Sequence, residues 1–265
     1  MAANSLRVAR AGRAKLPSQS GGSHVIRVFR TLELLASGPH TAAEIAGVLG
    51  VNRSTALRLL TEIEQLGYVL RDPKTKSYAI APARFYSFIS SHMDHLDWSA
   101  AVDPVLLELR EAFGEAAIMG VPANGTMVYL AFFPSSHIIT VRERLGTTRP
   151  MHCSALGKAY LSALDDRSLD GELASLNYQG GSPLAAQGPI ELRRRLEETR
   201  KRGYAIDRNE TMDGVSCVAI PARIGGTLIG AIGLSGPSQR ISEARIAEMG
   251  KRLLQTAPRL GGPVR

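Results

Sequence analysis

The chain has 265 residues, enough for two domains that each bury a core, and a hydrophobic share of 44% excludes a disordered polymer. The formal charge of +8 is unevenly placed: residues 1–84 hold 12 Lys/Arg against 5 Asp/Glu, and the other 181 residues hold 20 against 19. A basic excess confined to one end points to a nucleic acid partner there and argues against a uniformly sticky surface. No stretch is apolar for long enough to span a bilayer or to act as a secretion signal, and Cys153 and Cys217 make neither a CxxC nor a zinc spacing. These features predict a cytoplasmic protein with free thiols, no membrane partner and no bound metal.

In chain order, residues 1–22 carry Arg7, Arg10, Arg13 and Lys15 before a Pro/Ser/Gly run. Their low apolar content predicts a disordered basic arm, either in contact with DNA or solvated without a role. From His24, Val25, Val28, Phe29, Leu32 and Leu35 recur on one helical face until Gly38-Pro39.

Thr41 and Glu44 have capping-box spacing, so a helix is expected from Ala42, burying Ile45, Ala46 and Leu49 and ending at Gly50. Asn52 is a good cap for a second helix with Ala56, Leu59, Leu60, Ile63 and Leu66 on its apolar face and Arg53, Ser54, Thr55 and Arg58 on the other. Two short helices joined through glycine, the second bearing Arg and hydroxyl groups on its first turns, read as a helix-turn-helix. Arg53, Ser54, Thr55 and Arg58 are therefore expected in the major groove of duplex DNA, with Arg58 reading a base edge. Alternation at Tyr68, Leu70, Tyr78 and Ile80 around Arg71–Lys76 predicts a hairpin wing, whose Lys74 and Lys76 either lie along phosphates or are solvated.

Beyond Ala81-Pro82, Phe85, Phe88, Ile89, Met93 and Leu96 follow a helical period too apolar for a free linker, which implies a partner surface such as a second subunit. His92 and His95 are spaced like a metal pair, but without a third ligand they read as structural. A helix over about 100–113 is followed by expected strands at Ala116–Val121, Met127–Phe133 and Ile138–Val141, the first two joined by an Asn-Gly hairpin turn. Arg142, Arg144 and Arg149 cluster after them, either holding an anion or facing solvent or another subunit.

Ser154 caps a helix expected to reach Leu164, leaving the amides of Ala155 and Leu156 aimed at whatever lies beyond its start, a place that favours carboxylate or phosphate. Further helices are expected at Leu169–Leu176 and Ile190–Arg202, the second with a charge run at Arg193–Arg195 read as a solvated face. Strands at Ser216–Ala222 and Leu228–Ser235, joined through Ile224–Thr227 and ended by Ser235-Gly236-Pro237, precede a last helix from about Ser242 to Gln255. The order is not a βαβ alternation, so the fold class is α+β, with an antiparallel sheet covered by helices.

The winged head followed by HCSALGKAYL, GYAIDRNETMDGVSCVAIPA and IGAIGLSGPSQRIS closely resembles the IclR family of bacterial transcription regulators over about His24–Leu254. The resemblance implies a winged helix-turn-helix domain at 23–82, a linker and dimerisation helix at 83–98, a GAF-like effector-binding domain at 99–258 and a tail at 259–265. It also implies a homodimer or a dimer of dimers on an operator, with repression the commoner outcome. The effector would be a small organic or aromatic acid of a catabolic pathway, and no cofactor is expected. Carried over position by position, its pocket would use the Ser154-capped start at Ala155 and Leu156, with Asp207, Cys217 and the strand end at Ser235. Gly233, where some members carry a serine, would leave room for a bulkier ligand.

Two other readings stand beside this one. Cys217, His152 and Asp207 have the residue types of a thiol nucleophile, base and orienting acid, but no nucleophile elbow surrounds the cysteine, so an enzyme is not expected. A ligand-sensing module that never touches DNA would require a head unable to bind duplex.

Overall fold

Thr41 starts the second helix of the chain as its spacing predicts: its hydroxyl accepts from the Glu44 amide and its own amide donates to Glu44 Oε2 at 2.7 Å. These bonds hold the exposed Glu44 carboxyl below its usual pKa. The computed structural model describes residues 23–93, 98–141 and 143–260, so the arm at 1–22, Arg142 and the His92/His95 pair fall outside the described residues or side chains. The chain forms two compact units, parted between His95 and Leu96.

The first unit runs α1 (His24–Leu35), β1 (His40–Thr41), α2 (Ala42–Leu49), α3 (Arg53–Gln65), β2 (Val69–Arg71), β3 (Ser77–Ile80) and α4 (Pro82–Met93). Gly50 closes α2 at φ 65°, in the left-handed region, and the Asn52 side chain accepts from the Thr55 amide at 2.8 Å to open α3. Ile45, Leu49, Ala56, Leu59, Leu60 and Ile63 form one core with Leu35, Val69 and Tyr78. β3 lies between β1 and β2 in an antiparallel three-stranded sheet.

Three expectations are corrected here. Val25 and Phe29 are exposed, because α1 packs on α2 and β3 through its later turns, where Thr31 and Leu35 are buried. Leu66 is exposed as the residue that ends α3. In the wing, Val69 is buried and Leu70 is not; a strand that turns one residue out of phase exchanges its faces completely.

The second unit runs α5 (Trp98–Phe113), β4 (Ala116–Ala123), β5 (Thr126–Phe133), β6 (Thr148–Pro150), α6 (Ala155–Ser162), α7 (Asp166–Ser175), α8 (Pro189–Arg202), β7 (Ala205–Arg208), β8 (Val215–Ile224), β9 (Thr227–Pro237) and α9 (Glu243–Thr256), then a 3-10 turn at Ala257–Leu260. The six strands are antiparallel in the order β6-β5-β4-β9-β8-β7. Asn124 and Gly125, at φ 48° and 73°, make the two-residue turn expected between β4 and β5.

Strand alternation divides the core into two. Met119, Val218, Ile220, Ile232 and Leu234 face α5 and α9, whereas Ile118, Cys217, Ala219 and Ala231 face α6, α7 and α8. The first face is built of large aliphatic side chains and the second, along β8 and β9, mostly of small ones. Small residues let α6 lie close and leave space at its start.

Ile138–Val141 is not a strand: Ile138 and Ile139 are exposed, and β6 takes the edge position beside β5 instead. β7, to which the sequence reading assigned no element, is the opposite edge. β9 continues through Ser235 and Gly236 to Pro237, its last residue, which lies beyond the end of the β4 ladder at Ser235, and α6 stops at Ser162 short of Leu164.

Candidate functional site

In the first unit, Arg53, Ser54 and Arg58 are exposed on α3 and Thr55 is partly so. The Arg58 side chain is 75% exposed and reaches only to 4.0 Å from Glu62, a turn later, so its guanidinium is available to a partner. Ser54 is less so, since its hydroxyl donates to Asn52 Oδ1 at 2.9 Å and supports the cap of α3. On the wing, Asp72 accepts from the Lys74 amide at 2.8 Å and from the Thr75 hydroxyl at 2.8 Å. The Lys74 bond, with the others, holds the Asp72 carboxyl below its usual pKa. This turn, with Lys76 at φ 57°, keeps Lys74 and Lys76 exposed at the tip.

In the second unit, Ser154, Ala155, Leu156, Asp207, Cys217, Gly233 and Ser235 all line one small cavity. Ser154 Oγ accepts from the Gly157 amide at 3.1 Å and donates to Pro150 O at 2.8 Å, which leaves the first two amides of α6 without an intrahelical acceptor. The partial positive charge of the helix start therefore falls on the cavity.

The opposite wall is a row across three strands: Asp207 pairs in register with Cys217, and Cys217 with Ser235. Cys217 Sγ donates to Ser235 Oγ at 3.0 Å. Burial, followed by the nearby Asp207 charge, pushes the Cys217 thiol pKa up, the reverse of what an attacking thiolate requires. His152 turns to another neighbourhood, with Nε2 3.3 Å from Gly180 O and its ring beside Tyr178, so the residues of the thiol triad are not assembled.

Asp207 is almost wholly buried, and Oδ1 accepts from the Glu210 amide at 2.7 Å and from the Thr211 amide at 3.2 Å. Loss of hydration raises its pKa above the ordinary 3.8, against the opposing pull of Lys158. Lys158 on α6 is itself buried, 2.5 Å from Glu210 Oε1, and Arg195 Nη1 is 2.6 Å from Glu210 Oε2. Arg195 is thus part of an interior ion network, not the solvated face its charge run suggested. A buried carboxylate with two cations is far less costly than one left alone.

Gly233 does not leave room for a ligand: a Cβ there would stand 2.6 Å from Val218 O and 2.9 Å from Ala219 Cβ, so β8 already fills that space. The cavity also contains residues that the sequence reading did not assign. Tyr129, Val141, Glu143, Arg149 and Thr211 line it. The arginine cluster at 142–149 was the available signal, but nothing in its spacing distinguished Arg149, placed on an edge strand, from its neighbours.

Comparison with known proteins matches residues 25–73 to the IclR helix-turn-helix domain and residues 90–261 to the bacterial transcriptional regulator IclR C-terminal domain. The chain is 29% identical over 256 residues to the transcriptional repressor IclR of Escherichia coli strain K12, covering 92% of this chain and 90% of that one. The crystal structure of Thermotoga maritima IclR superposes with a TM-score of 0.67 at 25% identity, over 89% of this chain and 96% of that one. An IclR homologue from Microbacterium hydrocarbonoxydans, complexed with 4-hydroxybenzoate, has the same fold, with a TM-score of 0.76 at 20% identity over 90% of this chain and 99% of that one. Both halves of the family's architecture are present in order in one chain, and the protein is a DNA-binding transcriptional regulator that belongs to the IclR family.

Proposed function

We propose that this regulator is a repressor whose grip on its operator is set by a small organic acid bound in the second unit. The observation that carries the ligand half is the cavity itself, where the start of α6 faces the Asp207, Cys217 and Ser235 row. Free helix-start amides suit a carboxylate, and the polar row suits a hydroxyl or carbonyl at the far end of the same molecule. A relative of this fold holds 4-hydroxybenzoate, which has both kinds of group. Arg53, Ser54, Thr55 and Arg58 enter the major groove while Lys74 and Lys76 lie along phosphates, in the cytoplasm and as a dimer or a pair of dimers. The protein performs no catalysis in this reading, consistent with a Cys217 thiol kept protonated by burial.

The test is fluorescence anisotropy of promoter fragments from the source genome at stepped salt, with and without a panel of small aromatic and aliphatic acids. The expected result is tight binding to a subset of fragments, weakened by salt and changed by one class of acid. Asp207→Asn keeps the backbone caps, because its amide oxygen still accepts, and should remove the response to acid while leaving DNA affinity in place. If every fragment bound equally, or no acid altered binding, the corresponding half of the proposal would be lost.

A further inference from the structure

The cavity contains a carboxylate of its own. Glu143 lies on the segment between β5 and β6, with its side chain only 5% exposed and Oε1 2.5 Å from Arg149 Nη2. Both residues line the same cavity as the start of α6, and Arg149 also meets the Tyr129 hydroxyl. Arg149 is therefore a cation facing a ligand space, already neutralised by an anion from the protein itself.

Two features set this pair apart from an ordinary structural ion pair. Interior pairs contribute little stability over apolar residues of the same size, yet stripping one partner away is strongly unfavourable. Anything that takes Glu143's place must therefore bring a negative charge. The segment holding Glu143 forms no strand between Phe133 and Thr148 among the described residues. It is anchored at Pro134–Ile139 by bonds with Arg110, Gly114 and Arg240, and at Gly146 and Thr147 by bonds with Tyr129, and Glu143 lies on the irregular stretch between those two anchors. Arg149, by contrast, is fixed on β6, paired in register with Met127 of β5. The anion therefore sits on irregular chain and the cation on a paired strand.

We propose that Glu143 is an internal stand-in for the ligand's carboxylate: it occupies Arg149 in the empty protein, and an organic acid displaces it, takes Arg149 as counter-ion and releases the short stretch that carries Glu143 between its two anchors. This rests on the reading of the cavity as the effector site and adds to it the group recognised and the part that moves. Ligand selectivity follows. An acid exchanges one carboxylate for another at Arg149, whereas a neutral phenol, alcohol or amide of the same shape leaves the Glu143–Arg149 pair closed.

The test does not require the natural ligand, because propionate mimics the end of a glutamate side chain. The full-length protein is melted at fixed pH in propionate or in chloride of equal ionic strength. Glu143→Ala should melt below wild type and recover in a saturable way with millimolar propionate, with at least a tenfold lower half-saturating concentration than wild type shows. Glu143→Ala/Arg149→Gln should not respond. Equal responses of Glu143→Ala and wild type, or of the single and double variants, would overturn the proposal. Should Glu143→Ala fail to fold, Glu143→Gln keeps the side-chain volume without the charge and should bind propionate at least tenfold more tightly than wild type by calorimetry; unchanged affinity would equally overturn it. No DNA is present, so the outcome is independent of operator binding. Propionate rescue together with DNA affinity that no acid alters would leave the internal ligand standing and sink the effector reading.

Discussion

Asp207 stands directly across the β7–β8 ladder from Cys217, and both residues line the cavity at the start of α6. The carboxyl is held by two backbone amides and the thiol by Ser235, so neither is free to turn away. Their positions give the cavity one wall whose hydrogen-bonding character depends on how each group is protonated.

For Asp207, burial raises the folded-state pKa above the usual carboxylate value. A raised pKa means that ionisation opposes folding: the stability is fully present below the unfolded pKa and is lost as pH rises through the folded one. Asp207→Asn should therefore melt close to wild type near pH 4 and increasingly above it as the pH is raised toward 8. Melting curves across that range check this, and a gap that narrows with rising pH would mean that the cations around Asp207 outweigh its burial.

Both thiols should be sluggish. Burial pushes Cys153 up to about 11 and Cys217 further still, so almost no thiolate exists at pH 8. A bulky disulfide reagent should label the native protein slowly and both cysteines promptly in denaturant. A small thiosulfonate should reach Cys217 through the cavity, and a bound organic acid should protect Cys217 while leaving the rate at Cys153 unchanged. Rapid native labelling of Cys153 would contradict its packing.

On the DNA side, Arg58→Ala should cost about 1–3 kcal/mol at the cognate operator and relax its sequence preference. Lys74→Ala should weaken every duplex alike and lower the salt slope by about 1. Ser54→Ala is expected to act mainly on the stability of the head, because its hydroxyl supports Asn52. Anisotropy against cognate and scrambled duplexes separates these outcomes; equal losses on both from Arg58→Ala would reassign it to a phosphate.

The start of α6 tolerates little. A Cβ at Gly157 would overlap the backbone of Met151, which cannot yield as a side-chain tip can. Gly157→Ala should lower stability by about 3 kcal/mol. Ser154→Ala removes a cap and should cost about 1–2 kcal/mol. Urea denaturation of the two variants measures both, and a neutral Gly157→Ala would show that the segment from Met151 to the helix shifts freely.

Local chemistry decided much of this protein. The Thr41/Glu44 box, the Gly50 stop, the Asn52 cap and the Asn124-Gly125 turn are short-range devices whose partners lie within a few residues, so the sequence is enough to read them. The face bearing Arg53 and Arg58 follows from the helical period alone, as does the apolar side of the last helix. Seven residues lining the cavity came from motifs that the family resemblance ordered, not from periodicity.

What the sequence did not contain was anything set by a distant neighbour. Whether Val69 or Leu70 turns inward depends on how β2 meets β3, and whether Arg149 or Arg144 enters the cavity depends on which residues form the edge strand. Lys158 and Arg195, separated by most of two helices, find Glu210 only once α6, α8 and the turn after β7 are packed together. Gly233 looked like spare volume until β8 was seen to fill it. Burial, and with it the charge state of Asp207 and the pairing of Glu143 with Arg149, is a property of the assembled interior, because hydration is removed by residues from every part of the domain at once.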